Sequence, residues 1–162
     1  MKILLLLFIS ISIISCEKGG DPELIGNWKT IACEQAKDRN DVPYDSWGRG
    51  IYEFTSLGTI IFYPETYDDS QCTNKTEIQN PISYEASVTY QDNGEVTLQE
   101  GISGHAFIMT ISAQQETHEF SGFYSISNRK LCFSSIFRFD AFGFGAFSSG
   151  EDAIDFEICL TK

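Results

Sequence analysis

The sequence predicts an all-β chain, an antiparallel up-and-down meander of about 8–9 strands closed into a barrel. Three observations predict it. From residue 24 onward, short runs rich in Val, Ile, Tyr and Phe alternate apolar with polar residues, and helical periodicity is almost absent. Compact turn signals join neighbouring runs, notably Ser56-Leu57-Gly58, Asp92-Asn93-Gly94 and Ser127-Asn128-Arg129. The number and spacing of the runs suit closure, which also removes exposed sheet edges.

Residues 1–15 stand apart from that pattern. Lys2 precedes an apolar run over 3–14, too short to span a bilayer as a permanent helix, and the segment reads as a signal peptide. The run ends in Ile13-Ile14-Ser15-Cys16, which resembles the lipobox of bacterial lipoproteins: an aliphatic residue, a permissive one, a small one, then cysteine. The resemblance implies cleavage before Cys16 and thioether lipidation of it, so that the membrane is a partner reached through acyl chains such as palmitate. Residues 16–23 form a polar tether with two adjacent glycines and a proline. Glu17 is not the aspartate linked to inner-membrane retention in enteric bacteria, so the expected site is the outer membrane.

Removing residues 1–15 leaves 147 of 162 residues, with 10 Lys and Arg against 23 Asp and Glu, a net charge of −13. Residues 24–162 are long enough to be one domain with its own core, and too short for a multi-domain enzyme. No basic stripe exists to meet phosphates, so nucleic acid is not an expected partner.

The expected strands are 27–34, 50–56, 59–64, 82–91, 95–100, 105–114, 119–127, 130–139 and 153–161. Connections 35–49, 65–81 and 140–152 are longer. In a strict meander the first two share one barrel end with Gly101–Gly104, which makes that end the mouth. Tyr44, Trp47 and Tyr67 then stand around it as candidate binding residues for a small hydrophobic ligand. Phe142, Phe144 and Phe147 punctuate the third long connection; packing over a barrel end is favoured over an exposed docking patch.

Cys33, Cys72, Cys132 and Cys159 are an even number in an exported chain, which suggests two disulfides with three pairings open. Alternation offers a choice among them. Leu131, Phe133, Phe137 and Phe139 share one face and Ile154, Phe156, Ile158 and Leu160 another, with Cys132 and Cys159 pointing away. Setting Cys132 opposite Cys159 puts Leu131 against Leu160, Phe133 against Ile158 and Phe137 against Ile154, so apolar meets apolar throughout. The expected bonds are Cys132 with Cys159 and Cys33 with Cys72.

At Leu24-Ile25-Gly26-Asn27-Trp28 the chain carries Gly-x-Trp at the opening of its first strand, which resembles the first signature of lipocalins and bacterial lipocalin-like lipoproteins. The stretch from Tyr52 to Thr59, and Gly122-Phe123-Tyr124 followed by Lys130-Leu131-Cys132-Phe133, resemble two later hairpins of the bacterial group. The resemblance implies a lipocalin-like barrel whose tryptophan lies across the closed end, covered by an arginine from a late strand. Arg129 and Arg138 are the late arginines here, and neither fits that role by position. Independently of the family, Gly26 permits close backbone approach, and Trp28 at a strand start can plug a barrel end while its indole N–H finds a carbonyl; both are structural residues.

No nucleophile elbow, zinc-binding helix, P-loop or dinucleotide glycine pattern is present, so no catalytic residue is assigned, and no cofactor. Ser103 beside His105 lacks elbow spacing and reads as a turn; His118 lies in a polar hairpin. Asp38, Asn40, Asp41 and Asp45, and likewise Asp68-Asp69, are oxygen-rich but lack calcium-loop spacing, so no metal site is expected. Phe107, Phe120, Phe133, Phe137 and Phe156 suit either a filled interior or the wall of a cavity. Two functions follow: first, a lipid-anchored envelope carrier of a small hydrophobic ligand; second, an envelope protein-interaction or stabilising module with a filled barrel. Neither is an enzyme.

Overall fold

The computed structural model describes residues 21–37, 42–76, 87–98, 101–113, 116–134, 137–139, 144–146 and 154–162. The signal segment, Cys16, Asp38, Asn40, Asp41, Phe142 and Phe147 lie outside the described residues, as do the side chains of Tyr44, Arg138, Phe144, Ile154, Phe156 and Ile158. Among the described residues every regular element is a strand, and every ladder is antiparallel. The strands are β1 (Gly26–Thr30), β2 (Glu34–Lys37), β3 (Pro43–Phe54), β4 (Ile60–Tyr67), β5 (Ser87–Thr97), β6 (Ser103–Ala113), β7 (Glu116–Ser127), β8 (Lys130–Ser134), β9 (Phe137–Phe139), β10 (Phe144–Ala146) and β11 (Ile154–Thr161).

Nine of them form one sheet, and β9 and β10 form a separate pair. β4 takes one edge of β3, while β1 and β2 share the other on either side of a bend at residues 31–33. From β1 the sheet continues through β11, β8, β7 and β6 to β5. The ladders do not close into a barrel. β4 and β5 are the two outer strands, and between their ends run the bridge Thr59↔Thr89 and a 2.8 Å bond from the Tyr90 N–H to the Gly58 carbonyl.

Several expected boundaries change. Residues 35–49, expected as a loop, contain β2 and the first half of β3, because both edges of β3 find partners. Asp92-Asn93-Gly94, expected as a hairpin turn, lies inside β5. There Asp92 stands opposite Phe107 and Glu95 opposite His105, so β5 carries one extra residue as a β-bulge. Gly94 takes φ +93°, and its N–H is held by the Asp92 carboxylate at 3.0 Å. Losing that turn removes one reversal of the chain. The Gly101 turn therefore falls at the end that holds Trp28, not at the end of the two long connections. Residues 130–139 divide into β8 and β9, and Phe144, expected in a loop, pairs with Phe139 through β10.

One apolar face of these strands meets in a shared core. Its members include Leu24, Trp28, Tyr52, Phe54, Phe62, Val88, Tyr90, Phe107, Met109, Tyr124, Leu131, Phe133, Phe137, Phe139 and Leu160. Phe133 is the hub: its ring centroid lies 4.5 Å from Phe139, 5.3 Å from Phe107, 5.9 Å from Phe137 and 6.1 Å from Phe54. Such edge-to-face and offset contacts add to the burial of each ring. Both outer strands contribute, Phe62 from β4 and Tyr90 from β5, and Phe54 at the end of β3 meets Tyr90 at 5.4 Å across the β4–β5 gap.

The disulfides are Cys132–Cys159 and Cys33–Cys72, the pairing that the strand register leads one to expect. Cys159 stands opposite Cys132, and Leu160 opposite Leu131. Beyond them the register shifts: Ile154 faces Ser134, and Phe137 pairs with Ala146 instead of Ile154. The shift is possible because the cysteine pair fixes the register only at its own end.

Candidate functional site

The expected ligand residues are strand residues. Trp47 on β3 stands directly across from Tyr67 on β4, and the backbone of Tyr44 lies in β3. Tyr52, Phe54, Ile60 and Phe62 point into the core, so continuous alternation places Trp47 and Tyr67 on the opposite face of the sheet. They do not line the interior. What they adjoin is polar. The Tyr67 hydroxyl donates to Glu65 at 2.8 Å, Lys75 donates to the same carboxylate at 2.8 Å, and Lys29 pairs with it as well. Arg49 stands across the ladder from Glu65, with its Nε buried and unpaired.

Burial pushes the Glu65 carboxyl up, but the donors Lys29, Lys75 and Tyr67 outweigh it and hold it at about 2. Lys75 is raised in return, chiefly by its bond to Glu65. The adjoining loop is fixed by Cys33–Cys72 and by Asp69, whose carboxylate accepts the backbone N–H groups of Gln71, Thr73 and Asn74. Those bonds, led by Asn74, lower the Asp69 carboxyl. Asp69 thus orders a loop, and among the described residues no group of three or more His, Cys, Asp or Glu side chains is arranged to hold a metal ion.

At the other end of the sheet stands Trp28. Leu24 and Trp28 are buried, and the Trp28 indole N–H donates to the Leu24 carbonyl at 2.7 Å. The cation over Trp28 is not an arginine of a late strand: Lys162 Nζ sits 4.7 Å from the ring centroid and donates to the Glu23 carbonyl at 2.8 Å. Arg129, in the β7–β8 turn, lines a surface pocket of about 270 Å³ together with Glu23, Trp28, Ile126, Ser127, Asn128 and Lys162. This pocket lies outside the core and was not legible in the sequence, because Lys162 and Arg129 meet only through the pairing of β11 with β8.

A second polar cluster pins the start of the domain. The Asp21 N–H donates to Asp92 at 3.0 Å, and the Asp21 carboxylate accepts from the Tyr124 hydroxyl at 3.4 Å. His105 Nδ1 lies 3.2 Å from Asp92, and its ring stacks on Tyr124 with centroids 4.9 Å apart. Burial and the two aspartates raise the Tyr124 hydroxyl well above its ordinary value, so it stays protonated and donates. Ser103, the serine near His105 in sequence, is on the exposed side of β6 and its backbone carbonyl accepts from Ser125, so this serine does not converge on the histidine. The arrangement anchors the segment before β1 to β5 and β7.

Fold and site together define an antiparallel all-β domain with an aromatic core, two disulfides and a tryptophan buried at one end. No known protein family, curated protein or solved structure matches it.

Proposed function

We propose that this chain is an exported lipoprotein of the bacterial envelope, acylated at Cys16 and held at the outer membrane. Its nine-strand sheet curls into a lipocalin-like barrel with β4 and β5 as the seam. The barrel is filled by its own side chains, and the protein works as an interaction or stabilising module, not as an enzyme. The observation that carries the choice between a filled barrel and a carrier is Phe133, packed against four other phenylalanine rings at 4.5–6.1 Å where a ligand would have to lie. Two disulfides support export, since such bonds persist in oxidising compartments. The Phe54–Tyr90 contact and the bond from the Tyr90 hydroxyl to the Thr55 carbonyl, 2.7 Å, support the seam.

The test has two parts. Intact-mass measurement of the mature protein reads acylation, and Cys16→Ser should abolish it. Titration with long-chain fatty acids, followed by tryptophan emission and calorimetry, should give no saturable response. A saturable, one-to-one response would return the reading to a carrier of small hydrophobic ligands.

A further inference from the structure

We propose that the corner formed by the Asn128–Arg129 turn, Lys162 and Trp28 is the face that meets the membrane, and that its pocket receives the phosphate of an anionic phospholipid headgroup. The proposal rests on the lipidation reading for its placement and on the pocket for its chemistry.

Placement follows from chain length. Five residue steps separate Cys16 from Asp21, a reach of about 17 Å when fully extended. Asp21 is fixed to the domain through Asp92 and Tyr124. An acylated Cys16 therefore keeps the Trp28 end within that reach of the bilayer, while the Trp47 and Tyr67 end faces away.

Chemistry follows from the side chains. Arg129 and Lys162 bring two cations to the pocket against one acidic residue, the exposed Glu23, whose backbone carbonyl accepts from Lys162; Ser127 and Asn128 add hydrogen-bonding groups, and Trp28 and Ile126 supply an apolar wall. Lys130 adjoins them, paired with Thr161 across the β8–β11 ladder. Three of the 11 basic residues of a chain with net charge −12 thus gather at one corner. A strongly acidic protein is repelled by an anionic surface unless it presents such a corner, and the attraction there is screened by salt.

The turn itself points the same way. Asn128 and Arg129 take φ of 50° and 64°, the left-handed region that a two-residue hairpin turn requires at both positions. Glycine is the least strained residue at the second of these. Arginine there carries a backbone cost in return for a guanidinium held at the tip of the turn beside the pocket.

The experiment uses the full mature protein with vesicles of phosphatidylcholine alone or with about 30 mol% phosphatidylglycerol. Amide exchange at residues 126–130 should slow about threefold or more with the anionic vesicles, and about 0.5 M salt should reverse it. Arg129→Gly relieves the turn and removes the charge, so it should fold at least as well and lose the protection. Inorganic phosphate at millimolar levels should not reproduce the effect, because the site depends on a headgroup presented at a surface. Equal exchange with both vesicle compositions, or protection unchanged in Arg129→Gly, overturns the proposal. Acylation of Cys16 is read separately by mass; if it is absent, the lipidation reading falls, while exchange with added vesicles still decides the docking face.

Discussion

The ammonium of Lys162 lies 4.7 Å from the centroid of the Trp28 ring, so the last described residue of the chain covers the tryptophan that opens its first strand. The same ammonium donates to the Glu23 carbonyl, which ties the segment before β1 to the segment after β11. A cation over an indole contributes about 0.5–1 kcal/mol at an exposed site, and the hydrogen bond adds to it. Lys162→Ala should lower unfolding free energy by about 1 kcal/mol in urea and alter Trp28 emission, whereas Lys162→Arg should retain most of the stability. Unchanged stability in Lys162→Ala would show that the contact is incidental.

Phe133 touches four phenylalanines and is almost wholly buried. Phe133→Ala should cost about 3–5 kcal/mol, the range for deleting a large buried ring. Phe133→Leu, which keeps more of the volume, should cost under about 1.5 kcal/mol. Denaturant unfolding checks both. A small loss for the alanine variant would mean that the interior is loosely filled and would favour a carrier.

Glu65 makes stability depend on pH with a defined sign. Its carboxyl is held at about 2 in the fold against an ordinary 4.5, so the ionised form favours the folded state. That contribution is complete above about 4.5 and is lost as pH falls through about 2. Glu65→Gln should be less stable than the parent at about pH 6, by on the order of 2 kcal/mol once the exposure of Lys75 is allowed for. The gap should shrink steadily across the acid window. A gap that stays constant with pH would place the effect in packing and not in charge.

The two disulfides close loops with sequence separations of 27 and 39. Loop-closure entropy then gives about 3.5–4 kcal/mol for each, with little difference between them. Replacing either pair by alanine should produce losses of that size in oxidised protein, measured by denaturant unfolding. Loss of the Cys33–Cys72 pair should also raise amide exchange in residues 68–76, where Asp69 orders the loop.

Sequence patterns carried the strand class, the Ser127–Lys130 hairpin and the cysteine pairing, because each depends on alternation or on turn residues close together in the chain. Leu131 facing Leu160 is such a case. They did not carry the fate of Asn93-Gly94. The same left-handed glycine serves a hairpin turn or a β-bulge, and what selects the bulge is the continued pairing of β6 beyond Phe107. That one substitution of bulge for turn changed the parity of the meander and moved the Gly101 turn to the opposite end. Trp47 and Tyr67 were expected within the long connections; they lie instead in β3 and β4, and neither their strands nor their face was legible, since Pro43, Gly48 and Gly50 conceal the first half of β3 from a strand pattern. The Glu65 cluster and the Lys162 pocket were hidden for a different reason: their members are remote in sequence and meet only through the ladders.

The position of β1 has a mechanical consequence. β1 is bonded on both edges, to β3 and to β11, and β11 is stapled covalently to β8. Tension entering the chain at residue 21 first meets the hydrogen bonds of Asp21 and then runs along β1, parallel to its own ladders. Extracting the strand would require two ladders to slide at once instead of parting one bond at a time. The domain is thus built to bear load that enters through residue 21.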